Sequence, residues 1–271
     1  MRSYAVVMAS DESPRVTRER AGHLLLIGLD RPAKRNAADL RMLQELSLAY
    51  GELDRDPELR AGVVFAHGEH FTAGLDLADV GPRIGPDGLD LVPEGGIHPW
   101  QVDGSVQRKP VVLAVQGTCL TLGIELALVS DVVVAADSAV FGQIEVQRGI
   151  LPFGGATLRL PRAVGWGDAM RWMLTGDRFD AAEAHRIGLV QEVVPHGAQL
   201  DRAVEIARRI AAQAPLAVQA TLANARLAVR EGEARAAEQL QSELVRLART
   251  EDAAIGARAF AARDTAEFLG R

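Results

Sequence analysis

The sequence predicts an α/β fold closed by a helical C-terminal layer, and three observations carry that prediction. Apolar runs of strand length alternate with helix-period segments over the first two thirds of the chain. Beyond Pro195 only helical stripes remain. The chain has 271 residues, 48% of them hydrophobic and 24% charged, an ordinary globular mix long enough to bury a core without disulfide or metal staples.

Each element follows from local pattern. His23 to Leu29 (HLLLIGL) reads as a buried strand and ends at the turn-like Asp30-Arg31-Pro32. A helix is expected to start after Asn36, because Leu43, Leu46, Tyr50 and Leu53 recur at helical spacing. Gly62 to Ala66, Pro110 to Gln116 and Asp131 to Ala136 are further strands; Ile124 to Val129 is a short helix, and Val140-Phe141 opens another strand. Residues 80–105 hold six glycines and four prolines with little periodicity, which predicts a long, mobile, functional loop. After Pro195, stripes at Leu200/Val204/Ala207/Ile210, Val218/Leu222/Ala225/Val229 and Ala237/Leu240/Leu244/Leu247 predict three amphipathic helices, punctuated by Pro215 and Gly232.

Composition then excludes classes of function. A net charge of −6 argues against a non-specific nucleic-acid binder. The single cysteine, Cys119, excludes a disulfide framework and a multi-cysteine metal site, and fits a reducing cytoplasmic compartment. No run of about 18 apolar residues offers a membrane span, and the apolar run Tyr4 to Ala9 is shorter than the core of a secretory leader. P-loop, dinucleotide-binding and nucleophile-elbow motifs are missing. The histidines lack ligand spacing; His67 and His70 flank a loop and could join a carboxylate on a metal or belong to a solvated turn, and the turn is the favoured reading, so no metal is expected.

Two carboxylates stand out. Glu125 lies in an apolar run at the first turn of the short helix, and Glu145 precedes a turn containing Gly149 and Pro152. Burial and a neighbouring like charge would hold two such groups in different protonation states, as a matched general acid and base require. The same positions also suit a helix-terminal acid facing the dipole and a surface-turn acid. Small-residue turns at Phe71 to Asp76 and Gly117 to Gly123 offer backbone N–H groups that could converge on one carbonyl oxygen, or be ordinary tight turns.

The ordered set of motifs resembles the crotonase superfamily, the enoyl-CoA hydratases and isomerases, over most of the chain. Its residues are Arg31-Pro32-Ala33-Lys34-Arg35-Asn36-Ala37, Phe71 to Asp76, Lys109-Pro110 through Asp131, Phe141-Gly142-Gln143-x-Glu145, Gly154-Gly155-Ala156-Thr157-x-Arg159-Leu160, Leu174-Thr175-Gly176, and Ala181 to Ala184 with Gly188-Leu189-Val190. The resemblance implies a spiral of ββα units over 1–199 and a C-terminal α-helical oligomerisation region over 200–271, assembled as a homotrimer or a hexamer. It implies an acyl-CoA thioester as substrate, with CoA entering as part of it and no separate cofactor.

It also implies residue roles. Leu75 and Leu122 would supply the two oxyanion N–H groups, and Glu125 and Glu145 would be the hydratase acids. Lys34, Arg35, Ala37, Ala73, Gly74, Asp76, Leu77, Gly123 and Arg263 would line the CoA and thioester site, and Trp100 the acyl pocket. The implied reaction is hydration of a 2-enoyl-CoA to a 3-hydroxyacyl-CoA, or its reverse. The alternatives are a Δ3-Δ2-enoyl-CoA isomerase using one base, Glu145, and a non-catalytic acyl-CoA-binding protein. The sequence departs from the family at Thr121-Leu122, where glycines are usual, and at Gln116, where asparagine is usual. Leu122 is therefore expected to avoid positive φ and to keep its N–H on the oxyanion site.

Overall fold

The computed structural model describes residues 13–271; the apolar run Tyr4 to Ala9 lies outside the described residues. The first strands are β1 (Val16–Ala21), β2 (Leu24–Leu29), β3 (Ala61–Ala66), β4 (Val111–Val115) and β5 (Thr118–Leu120). They are followed by β6 (Val132–Ala136), β7 (Val140–Gly142), β8 (Arg178–Asp180) and β9 (Glu192–Val194). The helices are α1 (Leu40–Arg55), α2 (Leu77–Val80), α3 (Leu122–Ala127), α4 (Ala156–Val164) and α5 (Trp166–Thr175). Then come α6 (Ala181–Arg186), α7 (Gln199–Ala211), α8 (Pro215–Glu231), α9 (Glu233–Leu247) and α10 (Glu251–Ala262).

Two sheets form. The larger has the order β1-β2-β3-β4-β6-β9, antiparallel at β1–β2 and parallel from β2 onward; the smaller has the order β5-β7-β8. The succession β1-β2-α1, β4-β5-α3 and β6-β7-α4 is the expected run of ββα units. In the last two of these, one strand joins each sheet, which wraps the chain into a spiral.

The period-two side-chain alternation of the central strands is apolar on both faces. Val64, Leu113 and Val115 point into the main core with α1 and the smaller sheet, whereas Val63, Val112 and Ala114 point into a second cluster. Helix α7 covers that second cluster with Ala203, Ala207 and Ala211. The division expected at 199/200 therefore cuts between the sheet and the helix that seals its back face. The helices standing outside the core begin at α8.

Two local expectations are corrected, and strands β1 and β5 were not anticipated. Helix α1 starts at Leu40, not after Asn36, because Arg35 and Asn36 take positive φ and the Asp39 carboxylate caps the helix by accepting from Met42 N at 2.9 Å. Strands β1 and β5 carry no apolar alternation and exist through pairing. Segment 80–105 lacks long regular elements but is anchored on α1: Ile97 N donates to Ser47 O at 3.0 Å, Gln44 Nε2 donates to Asp90 O at 3.0 Å, and Arg55 bonds Gly95 O.

Candidate active site

The turn 71–76 lies against β5 and the start of α3. Phe71 N donates to Gln116 O at 2.8 Å, Thr72 N to Thr118 O at 3.0 Å, and Leu120 N to Thr72 O at 3.0 Å. Gln116, where asparagine is usual, donates from Nε2 to the carbonyls of Ala66 and Gly68, at 2.7 and 3.1 Å.

On the other side, Arg35 to Ala38 runs along the same turn: Ala73 N donates to Arg35 O at 2.9 Å, Ala38 N to Gly74 O at 2.8 Å, and Asp76 N to Ala38 O at 2.9 Å. The buried Asn36 amide donates to the carbonyls of His67 and His70, at 2.9 and 2.8 Å. His67 and His70 are themselves spent on structure, at Thr17 Oγ1 and Thr118 N, and the described residues contain no cluster of potential metal ligands. Arg31 pairs with Asp76 at 2.7 Å and thereby holds that carboxyl below its ordinary range. Lys34 and Arg35 stay exposed beside this turn, and Ala37 is half-buried.

The approach is close enough to require glycine. Gly74 has φ +96°, and a Cβ there would collide with Thr121 Oγ1. A Cβ on Gly123 would meet Cys119 Sγ and Thr72 Cγ2 at 2.8 Å. Leu75 and Leu122 consequently border one cavity, together with Ala73, Leu77 and Thr121. Neither the Leu75 N–H nor the Leu122 N–H has a protein acceptor among the described residues. Leu122 is helical, as expected, and the unusual backbone falls one residue earlier, with Thr121 at φ 50°, ψ −109°. For a β-branched residue that conformation is strained.

Glu145 lines the same cavity, whereas Glu125 is wholly buried. In each carboxyl one oxygen is anchored and the other has no hydrogen-bond partner. Glu125 Oε1 accepts from Ala156 N at 3.0 Å, and Glu145 Oε1 accepts from Gln143 Nε2 at 2.9 Å. Both acids are raised to about 7, chiefly by burial, with the charge of Glu125 contributing to the rise at Glu145. Gly154 seats the Glu125 carboxylate by leaving the space a Cβ would take.

The remaining cavity wall, Ile144, Arg148, Ile150 and Phe153, was not singled out from sequence. The exposed apolar run Ile150 to Phe153, set against Gly149, is the signal that could have found it. The cavity holds about 190 Å³, less than the roughly 300–1,000 Å³ of a site for a whole drug-sized ligand. It therefore fits the reacting end of a longer molecule.

Two expected residues lie elsewhere. Trp100 is buried behind the cavity rather than in its lining: its indole N–H donates to Leu122 O at 3.1 Å. Arg263 caps the end of α10 in an exposed left-handed conformation, outside this cavity.

A ββα spiral with a two-loop backbone N–H site beside buried carboxyls defines an enzyme of the crotonase class. Residues 19–271 match the family model described as enoyl-CoA hydratase/isomerase, and the chain belongs to that family. It is similar to enoyl-CoA hydratase EchA19 of Mycobacterium tuberculosis, with 35% identity covering 97% of this chain and 100% of that protein. It is also similar to the 2,3-dehydroadipyl-CoA hydratase of Escherichia coli, with 35% identity covering 93% of this chain and 97% of that one. Among solved structures, a probable enoyl-CoA hydratase/isomerase from Mycobacterium abscessus superposes with a TM-score of 0.92. It is 60% identical, and the match covers 95% of this chain and 99% of that one.

Proposed function

We propose that the protein hydrates a 2-enoyl-CoA thioester to the 3-hydroxyacyl-CoA and runs the reverse dehydration. The observation that carries this reading is a cavity bordered by two residues with unpartnered N–H groups and by Glu145, with Glu125 wholly buried on the helix that Leu122 begins, each carboxyl keeping one oxygen free. The thioester oxygen accepts from Leu75 N–H and Leu122 N–H. As water attacks C3 that oxygen gains enolate charge, and fixed donors stabilise it more strongly there than in the ground state. Glu125 takes a proton from the attacking water, and Glu145 delivers one to C2. Water adds across the double bond with no net oxidation, so the reaction balances with no cofactor beyond the CoA carried by the substrate.

Lys34 and Arg35 lie exposed beside the turn that bears Leu75, where cations suit the phosphates of CoA.

A second reading, Δ3-Δ2 isomerisation by Glu145 alone, is favoured by one observation: only Glu145 of the two acids borders the cavity. One experiment separates the two. Loss of the conjugated thioester absorbance of crotonyl-CoA, with formation of 3-hydroxybutyryl-CoA, marks hydration. Conversion of a 3-enoyl-CoA to its conjugated isomer without water uptake marks isomerisation, and binding with neither turnover marks a binding protein.

A further inference from the structure

Thr121 is the strained point of the site. A non-glycine residue at φ 50°, ψ −109° costs on the order of 1–3 kcal/mol and persists only where its surroundings enforce it. Rotation of the Thr121–Leu122 peptide would relieve the strain and would also turn the Leu122 N–H off the cavity. The helix that follows is six residues long, too short to hold its own first turn.

Leu122 is gripped from both sides. The carbonyl of Thr121, on the same peptide as the Leu122 N–H, accepts from Glu125 N at 3.1 Å. The carbonyl of Leu122 itself accepts the indole N–H of Trp100 at 3.1 Å, a bond reaching across from segment 80–105.

Trp100 is held for this task. It is 1% exposed, its backbone N–H donates to His98 Nδ1 at 3.2 Å, and its ring stands edge-on to His98. The next residue, Gln101, is also at positive φ, 49°. Its carbonyl accepts from Arg159 Nη2 at 3.0 Å, and Arg159 Nη1 donates to Gly154 O at 3.2 Å. A Cβ on Gly154 would lie 3.1 Å from Trp100 Cδ1, so the indole also abuts the segment that seats Glu125.

We propose that Trp100 is a positioning residue: by holding the Leu122 carbonyl, its indole N–H keeps the strained Thr121–Leu122 turn in the orientation that presents the Leu122 N–H to the thioester oxygen. This makes segment 80–105 part of the oxyanion machinery. The inference rests on the hydratase reading above.

The test removes only the N–H. Trp100→Phe keeps an aromatic ring, and site-specific incorporation of benzothienylalanine at 100 keeps the full indole shape should the phenylalanine variant fold poorly. Either change is expected to lower kcat for crotonyl-CoA hydration by about tenfold or more, towards the 10²–10³-fold typical of a lost oxyanion donor, with KM little changed. The infrared carbonyl stretch of bound butyryl-CoA, which binds without reacting, is expected to move back towards its free-solution value. In a Thr121→Gly background, where glycine accepts the backbone without strain, the loss is expected to shrink.

Wild-type kcat and wild-type carbonyl stretch in the N–H-less variants would overturn the proposal. A raised KM with unchanged kcat would overturn it too. The two readings fail separately. A wild-type protein that polarises the carbonyl but hydrates no 2-enoyl-CoA overturns the hydratase reading, while the infrared comparison still decides the role of Trp100.

Discussion

At the scale of single residues, the acids decide both rate and stability. Glu125→Gln and Glu145→Gln keep shape and remove proton transfer, which typically contributes 10²–10⁴-fold. Steady-state hydration kinetics are expected to fall by that order for each variant, and near-wild-type rates in either would remove that residue from the mechanism. With both acids raised to about 7 and interacting, the reactive arrangement is one carboxylate and one carboxylic acid. The pH–rate profile is therefore expected to be a bell centred near neutrality. Stability runs the other way. A carboxyl whose folded value is about 7 against an ordinary 4.5 binds its proton more tightly in the native state. Its contribution is complete below pH 4.5 and declines as pH rises through 7, by up to about 3 kcal/mol for each group. The glutamine variants are accordingly expected to melt higher than the wild type at pH 8 and not at pH 4, which calorimetry at both values will check.

At the scale of elements, the site exists because a turn, a three-residue strand and a six-residue helix pack without side-chain clearance. Gly74 faces Thr121 across that contact. Gly74→Ala adds a Cβ at φ +96°, where it also strikes Thr121 Oγ1. Denaturant melts are expected to show a loss of roughly 1–3 kcal/mol, and hydration kinetics a fall in kcat. Thr121→Gly in the same chain should recover part of the stability by opening the space, and unchanged melts for Gly74→Ala would mean the two loops do not meet as described. Sequence reading reached some of these elements and missed others for physical reasons. The central strands are legible because burial on both faces makes them continuous apolar runs. Strand β1 is not, because Thr17, Arg18, Glu19 and Arg20 form a polar edge whose strand character comes from pairing with β2. Glu125 is visible as an acid among apolar neighbours, and Glu145 as an acid before a glycine-proline turn. The place of Trp100 is not, because its hydrogen bond joins residues 22 positions apart, through a segment with no periodicity to read. The strain at Thr121 is half legible: a missing glycine marks the spot, but only the backbone shows that Thr121 rather than Leu122 takes the positive φ.

At the scale of the whole molecule, the question is which helices belong to the core and which to an assembly. Every buried residue of the two apolar clusters lies at or before Ala211. The segment from α8 to the C-terminus is tied to the rest by polar contacts, among them Arg226 to Asp131 at 2.9 Å and Arg60 Nη2 to Phe268 O at 2.8 Å. They also leave large apolar side chains uncovered: Phe260 is 88% exposed, Val229 63% and Leu244 61%. Apolar area of that kind is usual where a copy of the chain docks, and the family resemblance implies a trimer or a pair of trimers. Two truncations separate core from assembly. Removing 200–271 strips α7 from the back of the large sheet and exposes Leu24, Val63, Val112 and Val134, so this fragment is expected to aggregate. Removing 214–271 leaves both sheet faces covered, so this fragment is expected to stay folded, with a lowered melting temperature because Asp131 loses its arginine. It is also expected to sediment as a monomer while the full chain sediments as an oligomer. If the 1–213 fragment retained the oligomeric state of the full chain in analytical ultracentrifugation, the interface would lie in the spiral core, and the exposed face of α8 to α10 would need another occupant.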